Sequence, residues 1–303
     1  MTLIIGAISP DWVALTADRM VTYLSEPEPK IKNADATKMV LFANTMIFAY
    51  SGLAELDGKT TDNWLAQTLH ESPSANPSNV LEHLARKATE VFAIINYAAE
   101  WKRHVFAAVG WMRQGEDESY KQHFWYVSNY HDCNGQMSPV ASNRFNVNKY
   151  AMADVGYAWQ SFGANMNDRQ RQWLERRLRN RFDRSDYSPQ QIISVMVEST
   201  RQVAKENGRV GRGVLAGFIP RTAAGASELR LEGPLKKMPF RSPIWGDELM
   251  KDFVGVGKST KIEPGRSIYF ADFPVGRHEA DQRSPHFVFP GELRGIAEFY
   301  ARP

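Results

Sequence analysis

A single cysteine, Cys133, leaves the chain without an internal disulfide. The fold must therefore hold itself by packing, and a reducing or redox-indifferent compartment is expected. Long apolar runs are missing too: nothing approaches the roughly 18 uninterrupted apolar residues of a membrane-spanning helix. The opening segment MTLIIGAISPDWVALTADRM lacks a basic leader and carries Asp11 and Asp18 where a signal peptide would be apolar. A cytoplasmic protein without membrane contact is expected. Histidines number seven, but HxH and HExxH are absent, and His131-Asp132-Cys133 is too compact for a structural zinc site without a second ligand pair. No metal and no cofactor is expected. Net charge is only +3, too little to require a polyanionic partner.

What is present is ordinary globular material. The 303 residues are 43% hydrophobic and 23% charged, enough to bury a large core. Leu3–Ile8 and Trp12–Asp18 read as strands around the turn Ser9-Pro10-Asp11, and Lys38–Phe42 and Thr45–Tyr50 as a hairpin about Ala43-Asn44. The proline-punctuated stretch 24–37 reads as a loop. Two helices follow. One runs from Asp57 to Leu69. The other runs from Asn79 to Trp101, where Val80, Leu84, Ala88, Val91, Phe92, Ile95 and Ala99 recur at helical spacing and Asn79 with Glu82 forms a capping pair.

Val105–Met112 and His123–Asn129 are strands joined by a charged linker, and residues 134–156 read as a long loop. A second helical pair follows, Asp168–Phe182 and Gln190–Lys205, then a strand at Val214–Ile219. Helices in adjacent pairs argue against a doubly wound parallel sheet. They favour two antiparallel sheets stacked face to face with helical pairs outside, an α+β fold. Residues 1–220 form this core. Residues 221–303, rich in Pro, Gly and charge, are an extension with candidate strands at Arg266–Phe270 and His286–Val288. Such an extension could cap a cleft, extend a sheet edge or form a partner surface.

Position 2 is chemically special if Met1 is removed. A hydroxyl is a poor nucleophile until something takes its proton, and an N-terminal threonine carries its own base in the α-amine. That amine has a pKa of about 7.7–8.0, so a sizeable neutral fraction exists near neutrality. Around Thr2 the chain reads Thr2-Leu3-Ile4-Ile5-Gly6, Val13-Ala14-Leu15-Thr16-Ala17-Asp18, Thr22, Thr37-Lys38-Met39-Val40 and Ala49-Tyr50-Ser51-Gly52-Leu53-Ala54. Taken together and in register, these segments resemble the proteasome β-subunit family of N-terminal-nucleophile (Ntn) hydrolases, including the bacterial ATP-dependent threonine protease of that lineage. The likeness covers about residues 1–220. Lys38 and Gly52 stand fourteen residues apart, as in the family, and the hairpin Val105–Gly110 and Phe124–Gly135 also matches.

The resemblance implies a four-layer αββα sandwich and an amide-bond hydrolase, a peptidase in a self-compartmentalising homo-oligomeric ring. It implies Thr2 as nucleophile, Lys38 beside it as the charge that eases loss of the proton, and Asp18 as the group that orients Lys38. Gly52 would donate its N–H to the oxyanion, an effect of about 3–4 kcal/mol. Thr22 and Ala54 would align an extended peptide or amide substrate by main-chain hydrogen bonds. The family's further supporting serine and aspartate are altered here. Ser161-Phe162-Gly163-Ala164-Asn165 has alanine where a serine is expected, and Glu206-Asn207-Gly208-Arg209 has Asn207 in place of the aspartate. Ser161 and Asn207 are the remaining candidates for that support. The alternatives are an inactive ring or scaffold subunit and a small-molecule Ntn amidase.

Two other motifs carry less. Gly255-Val256-Gly257-Lys258-Ser259-Thr260 resembles the end of a phosphate-binding loop, but Asp252 occupies the position of its first glycine and a turn, not a helix, follows. Seven arginines in Arg169–Arg184 read as a solvated or inter-subunit helix face diluted by Asp168, Glu175 and Asp183, in preference to a nucleic-acid surface.

Overall fold

The structure is a computed structural model. It describes residues 2–22, 31–33, 36–42, 45–74, 76–114, 119–132, 134–150, 156–184, 187–221, 244–245, 259–261, 269–273 and 286–288. The chain opens with strands β1 (Leu3–Ile8), β2 (Trp12–Asp18), β3 (Val21–Thr22), β4 (Ile31–Asn33), β5 (Met39–Phe42) and β6 (Met46–Ser51). The short hairpin β7 (Glu55–Leu56) and β8 (Lys59–Thr60) leads into helices α1 (Thr61–His70) and α2 (Pro77–Ile94). Strands β9 (Val105–Gln114), β10 (Ser119–Ser128), β11 (Asn146–Tyr150) and β12 (Ala158–Gly163) precede α3 (Asp168–Phe182), α4 (Pro189–Glu206) and β13 (Val214–Pro220). Beyond residue 221 lie β14 (Ile244–Trp245), β15 (Ser259–Lys261), β16 (Tyr269–Phe273) and β17 (His286–Val288).

Among the described residues the larger strands form two sheets. One has the order β12-β1-β2-β13-β16-β15-β14, and the other β11-β10-β9-β6-β5-β17. Pairing is antiparallel in both except where β17 lies parallel to β5. The protein is thus mixed α+β with antiparallel sheets and four helices in its described part.

Strand periodicity explains the cores. Every residue of β1 is buried, so it reads as a continuous apolar run, yet its two faces serve different layers. Ile4 and Ile8 pack with Leu15, Leu41, Ile47 and Val109 in a core shared by both sheets. Leu3, Ile5 and Ala7 face the other way, against Leu174, Leu178, Ile193 and Met196 of α3 and α4. On the second sheet, Phe48, Phe106 and Trp125 meet Trp64, Leu84 and Phe92 of α1 and α2.

Helix boundaries differ from the sequence expectation where capping and turn chemistry take over. Asp57 and Gly58 adopt positive φ, 50° and 71°, closing the β7–β8 hairpin and delaying α1 to Thr61. The cap of α2 is Asn76, whose side chain accepts from Ser78 N at 2.9 Å ahead of Pro77, not the Asn79–Glu82 pair. That helix stops at Ile94 instead of Trp101, where the β-branched pair Ile94-Ile95 and then Asn96 weaken it.

Within 134–156 the segment Asn146–Tyr150 is a strand, because it supplies the edge partner of β10. β12, absent from the sequence reading, closes the free edge of β1. In the extension, the strand expected at 266–270 lies at Tyr269–Phe273 and pairs with β13, while His286–Val288 pairs with β5. Residues 255–258 lie outside the described residues, and Ser259 and Thr260 belong to a strand, not to the helix a phosphate loop requires.

Gly6 faces the layer between the sheets, where a Cβ would lie 2.6 Å from Phe124 Cε1 and 3.1 Å from Val109 Cγ1. Both neighbours are buried and have no room to retreat. Gly6→Ala is expected to destabilise by about 1–3 kcal/mol, read as a lower urea midpoint at unchanged m-value.

Candidate active site

Four strand ends meet at one edge of the seam between the sheets. Thr2 enters β1 and Asp18 ends β2, both on the first sheet. Lys38 enters β5 and Ser51 ends β6, both on the second. Stacking the sheets therefore brings together residues far apart in sequence. Thr2, Asp18 and Lys38 are 3%, 0% and 2% exposed, respectively.

The Lys38 ammonium has three N–H groups, and three acceptors surround it. It donates to Thr2 Oγ1 at 2.7 Å, to Asp18 Oδ1 at 3.4 Å and to the Met20 carbonyl. Asp18 is saturated in turn. Its Oδ2 accepts from Leu3 N at 2.8 Å, and its Oδ1 from Met20 N and Gly211 N at 3.0 Å each. Burial pulls the Lys38 pKa below the ordinary 10.5, against the opposing charge of Asp18 and its hydrogen bond. The result is a dry cation held on a hydroxyl.

The main chain of Thr2 is gripped from the other side. Its N–H donates to Ser51 Oγ at 3.0 Å, and Ser51 Oγ donates back to Thr2 O at 3.0 Å. Thr2 O also accepts from Ala164 N at 2.8 Å. This approach depends on Gly163, which adopts φ 82°; a Cβ there would strike Thr2 O and lie 2.5 Å from Ser51 Oγ.

Gly52, directly after Ser51, takes φ 137°, and a Cβ on it would stand 2.5 Å from His104 Nδ1 and 2.6 Å from Arg103 O. Leu53 N donates to His104 Nδ1 at 3.1 Å.

The structure thus brings Thr2, Asp18 and Lys38 into direct contact, with Gly52 one residue from the Ser51 clasp. Thr22 lies half-buried in β3, opposite Ile31 of β4. The Ala54 carbonyl accepts from Thr61 N at 2.9 Å, so that acceptor is shared with the start of α1. Ser161 sits on β12 opposite Ile5, two residues before Gly163. Asn207 is the C-cap of α4: its N–H donates to Val203 O at 2.8 Å and its Oδ1 accepts from Arg209 N at 3.0 Å.

The support given to Thr2 comes instead from Ser51, which sequence reasoning had seen only as a neighbour of Gly52. The Met20 carbonyl and the Gly211 and Ala164 N–H groups were also missed, since main-chain partners leave no residue-type signal.

Other motifs stay apart from this site. On α3, Arg179 pairs with Glu175 at 3.1 Å, and Arg177 lies over the Trp173 ring at 5.2 Å and reaches Glu198 at 4.0 Å. The described residues hold no group of three or more His, Cys, Asp or Glu able to bind a metal; Cys133 lies outside them. No helix of the described residues is long and apolar enough to cross a membrane. No protein-family model matches the chain, and a search among curated proteins finds no match.

The two partners of the ion pair are unequal. Asp18→Ala strands the Lys38 ammonium and three backbone donors in a dry site, and is expected to destabilise by about 3–5 kcal/mol. Lys38→Met leaves Asp18 with its three backbone donors and is expected to cost less than half as much. Urea unfolding of the two variants compares them directly.

Proposed function

We propose that the chain is an N-terminal-threonine hydrolase of the proteasome-like Ntn class, residues 1–220 being a four-layer αββα sandwich, and that it cleaves amide bonds with Thr2 after loss of Met1. The observation that carries this reading is the buried Lys38 ammonium donating to Thr2 Oγ1 at 2.7 Å. A cation there stabilises the developing alkoxide and lowers the pKa of the adjacent α-amine.

The chemistry follows from the free amine. Thr2 Oγ1 attacks the scissile carbonyl carbon while its proton passes to the Thr2 amine. The oxyanion is met by the Gly52 N–H. The C–N bond breaks as the ammonium returns the proton to the leaving nitrogen, leaving an ester on Thr2. Water attacks that ester, giving its proton to the amine, and the acid departs as Thr2 Oγ1 is reprotonated. Asp18 keeps Lys38 charged and aimed throughout.

Ser51 supplies the support missing at Ala164 and Asn207. Its single hydroxyl proton is committed to Thr2 O, so its lone pair accepts one amine N–H. The amine lone pair is then left for the proton of Oγ1. Peptide bonds are the substrate class that the resemblance to the proteasome β-subunit family favours over a small-molecule amide.

Protein with a free Thr2 is expected to hydrolyse a peptide from a mixed panel, and Thr2→Ala to abolish turnover while leaving the fold intact. Wild-type protein that lacks Met1 and cleaves nothing, or Thr2→Ala with undiminished turnover, contradicts the reading. The pH profile carries a further expectation. The rate rises as the Thr2 amine loses its proton and falls as Lys38 does. The alkaline limb therefore lies below the ordinary lysine value of 10.5. Asp18→Asn removes the charge that raises the Lys38 pKa, so this limb moves to lower pH. Ser51→Ala is expected to reduce kcat by about 10–100-fold by freeing the orientation of the amine, checked by steady-state kinetics.

A further inference from the structure

Beside Gly52 lies a histidine that the chemistry above does not use. His104 precedes β9 and is fully buried in an aromatic box. Tyr50 stacks on its ring at 6.1 Å and 5°, Phe106 lies 4.5 Å away, and Phe92 meets it edge-on at 5.4 Å. Its main chain is clamped as well: His104 N donates to Asn129 Oδ1 at 2.9 Å, and Asn129 N donates to His104 O at 3.3 Å. The ring therefore has one orientation, with Nδ1 facing the Gly52–Leu53 peptide.

A phenylalanine ring would fill the apolar part of such a box equally well. Histidine leaves Nε2 buried with no hydrogen-bond partner among the described residues, a condition proteins tolerate rarely. What phenylalanine could not do is accept the Leu53 N–H, which His104 Nδ1 does at 3.1 Å. An accepting Nδ1 is unprotonated, so the ring is the neutral Nε2–H tautomer. Burial keeps it neutral, lowering its pKa to about 3.

That bond has a specific consequence for Gly52. Glycine has the widest backbone freedom of any residue, and at φ 137° nothing in its own side chain restrains it. On its N-terminal side the chain is fixed by the Ser51 clasp on Thr2. On its C-terminal side the fixed point is Leu53 N on His104.

We propose that His104 is a positioning residue of the hydrolase: by accepting the Leu53 N–H it locks the backbone of Gly52, so that the Gly52 N–H is aimed at the oxyanion before substrate arrives. This rests on the hydrolase reading above. The role is preorganisation of a donor used in the transition state, so its loss falls on kcat and not on substrate binding.

The test compares wild type, His104→Phe and His104→Gln on one peptide substrate, with a peptide aldehyde and the matching peptide amide as ligands. The aldehyde forms a tetrahedral adduct on Thr2 that carries an oxyanion; the amide binds without one. His104→Phe is expected to lower kcat by about 100-fold and to weaken the aldehyde by a similar factor, with KM and amide affinity within about twofold. His104→Gln, whose Oε1 can accept from Leu53 N, is expected to recover part of the loss. Unchanged kcat in His104→Phe, or equal weakening of aldehyde and amide, overturns the proposal while the hydrolase reading stands. Wild type that neither turns over peptide nor binds aldehyde more tightly than amide sinks both together. Should His104→Phe not fold, the same readouts on His104→Gln and the ring 15N spectrum of wild type decide: a protonated Nδ1 overturns the proposal.

Discussion

Lys38 and Asp18 form an ion pair in the seam between the two sheets, where water cannot solvate either. Taking each charge out of water costs several kcal/mol, and mutual attraction offsets this only with good geometry and with every remaining lone pair and N–H satisfied. The surroundings meet that condition. Three backbone N–H groups, from Leu3, Met20 and Gly211, converge on the carboxylate. The third N–H of the ammonium goes to the Met20 carbonyl, leaving Thr2 Oγ1 as its remaining acceptor. A buried lysine saturated by structural acceptors alone would be a structural device. Here one of its three bonds goes to the side-chain hydroxyl of Thr2.

Because the pair bridges the sheets, the site depends on how they stack. Thr2 and Asp18 ride on β1 and β2, Lys38 and Ser51 on β5 and β6, and the core between them sets the separation. A shift of either sheet would part Lys38 from both partners at once. Helices α3 and α4 act on the other face of β1, and the turn after α4 carries the Gly211 N–H to Asp18. Helices α1 and α2 pack on the second sheet, and Phe92 of α2 forms part of the box around His104. Both sheets and both helical pairs thus bear on the site or on His104 beside it.

Much of this was legible in the sequence because apolar periodicity and register are written in residue types. The strands of the first fifty residues and the paired helices fall in that class, whereas Thr2, Asp18 and Lys38 were singled out by the family resemblance and not by periodicity. The misses have physical reasons. Helix α1 starts late because two residues at positive φ close a hairpin, and α2 starts early because Asn76 caps it before Pro77. Strands β11 and β12 exist because β10 and β1 need edge partners, a tertiary requirement with weak local pattern. In the site, main-chain donors from Gly211 and Ala164 cannot be read from residue identity. Ser51 was hidden for another reason: its importance comes from pairing across 49 residues with Thr2. Asn207, which the sequence offered as support, is occupied with ending α4.

The central claim is that Thr2, once N-terminal, is a nucleophile made reactive by Lys38. Incubation with a β-lactone followed by intact-mass and peptide mapping tests it most directly. The expected result is one added lactone per chain, located on Thr2, lost in Thr2→Ala and strongly slowed in Lys38→Met. An unmodified chain with a free Thr2, or labelling that persists in Thr2→Ala, would contradict it.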